Sequence, residues 1–189
     1  ETDTAAATGR PLTILPVDSE GLVTPVPIPA GTGLVATMLV NNEIGTIQPV
    51  AAMGEAAHAA GALLLCDAVQ GYGRVPVPDG CDLVSISAHK VHGPKGVGAL
   101  WMRDGVSPAP LLHGGNQEDG RSGTLSPALC AGFGVAARLM RERADEDVAH
   151  TTARERSRLV RARDHPGGLG AGRSRPAVDH ARPASPHPR

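Results

Sequence analysis

The chain has 189 residues and a formal net charge of -1, which suits one domain rather than two. That balance removes an overall electrostatic case for nucleic acid or a membrane surface, and no apolar run is long enough to span a bilayer. Aromatic residues make up 2% of the chain, too few for a base-stacking platform, so Val, Leu, Ile and Ala must fill the core.

Residues 1–33 are rich in Pro, Gly and Thr, with a short strand expected at Leu12–Val17 and a turn at Pro16–Gly21. No signal peptide is expected from the opening residues. Leu34–Val40 is a β-rich apolar run, followed by the polar loop Asn41-Asn42-Glu43-Ile44-Gly45. Pro49 suits the first turn of a helix to about Ala60, where Gly61 ends it. Ala62–Cys66 reads as the next strand, with Asp67 at its tip. Leu83–Ser87 and Val97–Met102 supply two more, and a helix is expected over about Pro127–Ala144. Strand-helix-strand spacing predicts an α/β fold with right-handed crossovers and a mainly parallel sheet.

Residues 1–150 are expected to form part of one large domain, and residues 151–189 a separate tail. The charge split is sharp: 9 basic against 16 acidic residues before position 151, and 9 arginines against 3 acids after it. A tail rich in Arg and Pro reads as disordered, as frameshifted, or as a basic segment for an acidic partner. Three cysteines without CxxC or zinc-ligand spacing favour a reducing, cytoplasmic setting. Cys66, Cys81 and Cys130 read as small buried residues, Cys81 being the most open to reaction because it follows an Asp-Gly turn. His92 and His113 lack ligand spacing, so no metal site is expected.

Lys90 and Lys95 are the only lysines. Arginine stays protonated and forms no imine, so any amine chemistry falls to one of these two. Lys90 stands just past a strand, where α/β proteins place their chemistry. Lys95, in a turn between Pro94 and Gly96, reads as structural or surface. Polar residues converge on strand ends: Asn42, Asp67, Gln70, Ser87, His89 and Lys90.

Four phrases carry a family resemblance: Asn41-Asn42-Glu43-Ile44-Gly45-Thr46-Ile47-Gln48-Pro49, Cys66-Asp67-Ala68-Val69-Gln70, Ser85-Ile86-Ser87-Ala88-His89-Lys90-Val91-His92-Gly93-Pro94-Lys95-Gly96-Val97-Gly98-Ala99-Leu100, and His113-Gly114-Gly115-Asn116-Gln117-Glu118-Asp119-Gly120-Arg121-Ser122-Gly123-Thr124. In this order they resemble cysteine desulfurases of the class V aminotransferase group, over about residues 12–145. The resemblance implies part of the large domain of a fold-type I enzyme, a sheet flanked by helices, and the cofactor pyridoxal 5'-phosphate (PLP). It implies a reaction of L-cysteine to L-alanine, with sulfur passed on as a persulfide to an acceptor or iron-sulfur scaffold protein.

By the same resemblance, Lys90 would bind PLP covalently and move the substrate α-proton. Asp67 would face the pyridinium nitrogen, Gln70 the ring's phenolic oxygen, and Asn42 the ring oxygen or substrate carboxylate. Ser87 and His89 would contact the phosphate, and Thr124 would reach the PLP phosphate of a homodimer partner. Read without the family, an Asp at a strand end such as Asp67 is more often a helix cap or turn former, while Asn42 suits a turn and Gln70 a solvated loop. Three family parts have no counterpart: a glycine-threonine phosphate loop with its ring-covering histidine, a small domain with a carboxylate-binding arginine, and a loop bearing the nucleophilic cysteine. The chain is therefore expected to bind PLP weakly and to show little or no desulfurase activity. Two other readings stay open: another class V enzyme (a selenocysteine lyase or aminotransferase), and a non-catalytic remnant or interaction module.

Overall fold

The computed structural model describes residues 9–115, 117–147 and 149–150. The chain divides into two units, residues 1–144 and 145–189, and every element below belongs to the first. The expected tail, residues 151–189, lies outside the described residues.

Four strands form one sheet in the order β1 (Leu34–Met38), β2 (Leu63–Asp67), β3 (Leu83–Ser87) and β4 (Gly98–Met102). The first three are parallel and β4 is antiparallel to β3, which fits the expected mainly parallel α/β sheet. Helix α1 (Val50–Ala59) makes the crossover from β1 to β2. It buries Val50, Met53, Gly54 and Ala57, the i, i+3, i+4, i+7 stripe of a sheet-facing helix. Gly54 lets it come close: a Cβ there would lie 3.2 Å from Leu64 Cδ2. Gly61, at φ +74°, closes the helix in the left-handed conformation that glycine adopts without strain.

The core gathers Val35, Leu39, Met53, Leu64, Cys66 and Val84 around these elements. A side chain of Leu size buried this way contributes about 1.5–3 kcal/mol. Helix α2 (Pro127–Glu142) begins at Ser126, whose hydroxyl accepts the Leu129 amide at 3.5 Å, with Pro127 in the first turn. It packs against the short 3-10 turn, Ala88–Val91, that follows β3. The expected strand at Leu12–Val17 does not form. Only an isolated bridge joins Val17 to Val23, and Ile14 stays 70% exposed, because no neighbouring strand among the described residues pairs with this segment.

Candidate functional site

The parallel strands bring their C-terminal ends to one edge of the sheet. Asp67, the last residue of β2, sits in register with Ser85 of β3, one strand spacing away. Met38 of β1 pairs with Asp67 on the other side, and the Leu39 amide donates to the Asp67 carbonyl at 2.8 Å. Beyond β1 the chain turns tightly, with Asn41 Oδ1 accepting the amides of Glu43 (2.8 Å) and Ile44 (3.1 Å). This turn leaves Asn42 exposed, its amide nitrogen donating to Glu43 Oε1 at 2.6 Å.

Asp67 Oδ1 accepts the Val69 amide at 2.9 Å, so the aspartate also shapes the loop that follows it. That loop holds Gln70, half-buried, with no side-chain hydrogen bond among the described residues. Beyond β3 the chain enters the 3-10 turn carrying His89 and Lys90. Ser87 Oγ and His89 Nδ1 lie 2.8 Å apart, two residues from each other, and form one polar couple. Lys90 is half-buried, and no carboxylate pairs with its amine among the described residues. His92, at φ 64°, ends the turn in a left-handed conformation, and the Gly93 amide returns to the Ala88 carbonyl at 2.8 Å.

The fold thus brings Asn42, Asp67, Gln70, Ser87, His89 and Lys90 to the same sheet edge. Thr124 does not stand at a strand end: it is exposed in the segment leading into α2 and makes no side-chain hydrogen bond among the described residues. Two cavities, of about 500 and 450 Å³, lie elsewhere. One is lined by His58, Leu63 and Arg103, the other by Tyr72, Val77 and Trp101, and neither includes a residue of the predicted site.

The expected burial holds for Cys66 and Cys81, whereas Cys130, also expected to be buried, is half-buried on α2. Cys81 follows a turn, yet it is only 4% exposed, so it is buried as expected and the turn does not open it to reaction. Its neighbour Asp82 is drawn into the interior, and Cys81 goes with it. Burial, reinforced by the neighbouring Cys81, pushes the Cys66 thiol up to about 12, and burial raises Cys81 as well.

Sequence reasoning missed a charged cluster at the opposite sheet edge. Asp82 is fully buried and accepts the Leu64 amide (2.6 Å), His58 Nε2 (2.9 Å) and Arg103 Nε (2.6 Å). Burial alone would raise its carboxyl; these donors and the Arg103 charge outweigh it and hold it below the usual carboxylate range. An Asp immediately before a run as apolar as Leu83-Val84 was the available signal.

With this geometry in place, comparison assigns the chain to a family. Residues 2–163 match the model of aminotransferase class V, and the chain belongs to that family. A mitochondrial cysteine desulfurase of Candida maltosa is 45% identical over 152 residues, covering 75% of this chain and 31% of the relative. The chain therefore spans about a third of the length of the curated relatives it matches. A solved NifS-like protein is 37% identical with a TM-score of 0.78, covering 87% of this chain and 48% of that one. An SspA structure determined in complex with cysteine is also 37% identical, with a TM-score of 0.67, covering 72% and 42%. These relatives correct the cytoplasmic expectation, since several are mitochondrial by name. Cysteine usage separates oxidising from reducing settings and does not tell one reducing compartment from another.

Proposed function

We propose that this chain carries the cofactor-anchoring part of a cysteine desulfurase, with PLP as cofactor and L-cysteine as substrate. The observation that supports it best is the donor set gathered on one sheet edge: an amine, a carboxylate, an amide and a hydroxyl-imidazole couple. Those groups fit PLP in kind. When bound, PLP supplies a carbonyl that an amine captures and a ring that accepts electron density.

Lys90 is the covalent anchor and the base that carries the α-proton. Asp67 keeps a proton on the ring nitrogen, which preserves the ring's capacity to accept electrons. Gln70 and Asn42 offer amide donors to the ring oxygen, and Ser87 with His89 binds the phosphate. Thr124 serves the phosphate of a second subunit, so this role belongs to a homodimer. The sulfur acceptor of the complete protein is a scaffold or carrier protein.

Transfer of sulfur needs an accessible thiolate. Cys66 and Cys81 are buried with raised pKa, and Cys130, the more accessible thiol, is fixed on the ordered helix α2 rather than on a loop that could carry it to the cofactor, so none suits that task. The chain alone is accordingly a cofactor-binding half without turnover. Incubation with PLP, borohydride reduction and peptide mapping test the reading. A phosphopyridoxyl group on Lys90 in preference to Lys95 is expected; equal labelling of the two would overturn it. Alanine production from L-cysteine by this chain alone would overturn the half-site conclusion.

A further inference from the structure

The two loops that carry the candidate site are tied by one side chain that the family resemblance does not single out. Arg74 lies in the turn after Gln70, where its amide donates to the Gly71 carbonyl at 2.8 Å and that of Val75 to the same oxygen at 2.9 Å. From there Arg74 Nη2 donates to the main-chain carbonyl of Lys90 at 3.1 Å. The segment that starts with Asp67 thus reaches across and holds the turn that presents Lys90.

Helix α2 supplies a common seat for both loops. A Cβ on Gly73, next to Arg74, would meet Met140 Sδ at 2.0 Å. A Cβ on Gly93, just past the lysine turn, would meet Ala136 Cβ at 3.1 Å and the Ala88 carbonyl at 2.9 Å. The two loops therefore rest on successive turns of one helix, and Arg74 bridges the gap between them. A guanidinium suits this task because its planar fork is pre-organised, so little freedom is lost when it holds a carbonyl. The Lys90 amide unit is also the one whose orientation sets where the side chain leaves the backbone.

We infer that Arg74 is a positioning residue for Lys90, fixing the lysine turn relative to the Asp67 loop. The inference rests on the reading of Lys90 as the covalent anchor. It concerns geometry ahead of cofactor capture, so it has a readout in the protein without PLP.

The test compares the full chain with R74A and R74K. In each, hydrogen exchange of the Val91–Gly93 amides is followed without cofactor. The ratio of phosphopyridoxyl label on Lys90 to that on Lys95 is then measured after PLP and borohydride. R74A is expected to speed exchange and to lower the ratio by about threefold, as for loss of one charge-assisted bond at an exposed site. R74K, which keeps a donor and the charge, is expected to retain most of both. If R74A leaves the ratio unchanged while the wild type labels Lys90 selectively, the inference falls and the cofactor reading stands. Faster exchange with an unmoved ratio has the same meaning, since the bond then serves the fold alone. A wild type that labels both lysines equally would sink the cofactor reading, and the role of Arg74 with it.

Discussion

Asp82 and Leu64 hold each other twice. The Asp82 amide donates to the Leu64 carbonyl at 3.0 Å, and the Asp82 carboxylate accepts the Leu64 amide at 2.6 Å. His58 from α1 and Arg103 from the end of β4 complete the carboxylate's shell, so one buried residue joins four elements. Replacing Asp82 with Ala is expected to cost about 2 kcal/mol or more, because it leaves a buried amide and a guanidinium without their acceptor. A urea midpoint unchanged within error would contradict this.

The same carboxylate sets an acid limit. Its folded pKa is depressed, so its stabilisation is full above the ordinary carboxylate value of about 4 and is lost as pH falls through the lower folded value. Thermal unfolding from pH 6 to pH 3 should show a steeper loss for the wild type than for D82A. Parallel curves would mean that Asp82 contributes nothing to the acid limit.

Thiol chemistry should follow burial. Cys66, at about 12, and the raised Cys81 remain protonated at pH 8, whereas Cys130 is half-buried near the start of α2. Native alkylation with iodoacetamide is expected to modify Cys130 first, and Cys66 and Cys81 only after denaturation. Early labelling of Cys81 by mass spectrometry would show that its turn opens.

Gly98 faces Ser87 across the β3–β4 pair, and a Cβ there would lie 2.6 Å from the Ile86 carbonyl. A backbone atom has no rotamer with which to withdraw. G98A should therefore destabilise by about 1–3 kcal/mol and loosen the segment leading into the lysine turn, where the Ala88 amide bonds to the Val97 carbonyl at 3.1 Å. A neutral melting temperature would argue against this close approach.

Ser87 and His89 form a couple, so their effects on the proposed phosphate binding should not add. S87A and H89A are each expected to weaken PLP capture by about tenfold, and the double variant by little more. Titration of the labelled fraction against PLP concentration measures this. Fully multiplicative losses would show that the two side chains act independently.

The strand ends were legible because apolar runs bounded by turns reveal strands, and Lys90 was legible as one of only two lysines. Helix α1 was equally clear from Pro49, its spacing and Gly61. Asp82 escaped because its partners lie 24 and 21 residues away in sequence, and no local pattern encodes such a meeting. Arg74 escaped because it sits in a loop, where period carries no information. Leu12–Val17 has the composition of a strand but no partner, and β propensity needs one to be expressed.

The sheet separates two tasks. The Asp82 cluster occupies one end of strands five residues long, and Lys90 follows the other end, a span of about 13 Å along the strand. Side chains that far apart without shared partners act nearly independently. Robustness and the proposed cofactor chemistry can therefore be altered one at a time: a lineage, or an engineer, is free to retune the lysine edge while the carboxylate edge keeps the scaffold standing.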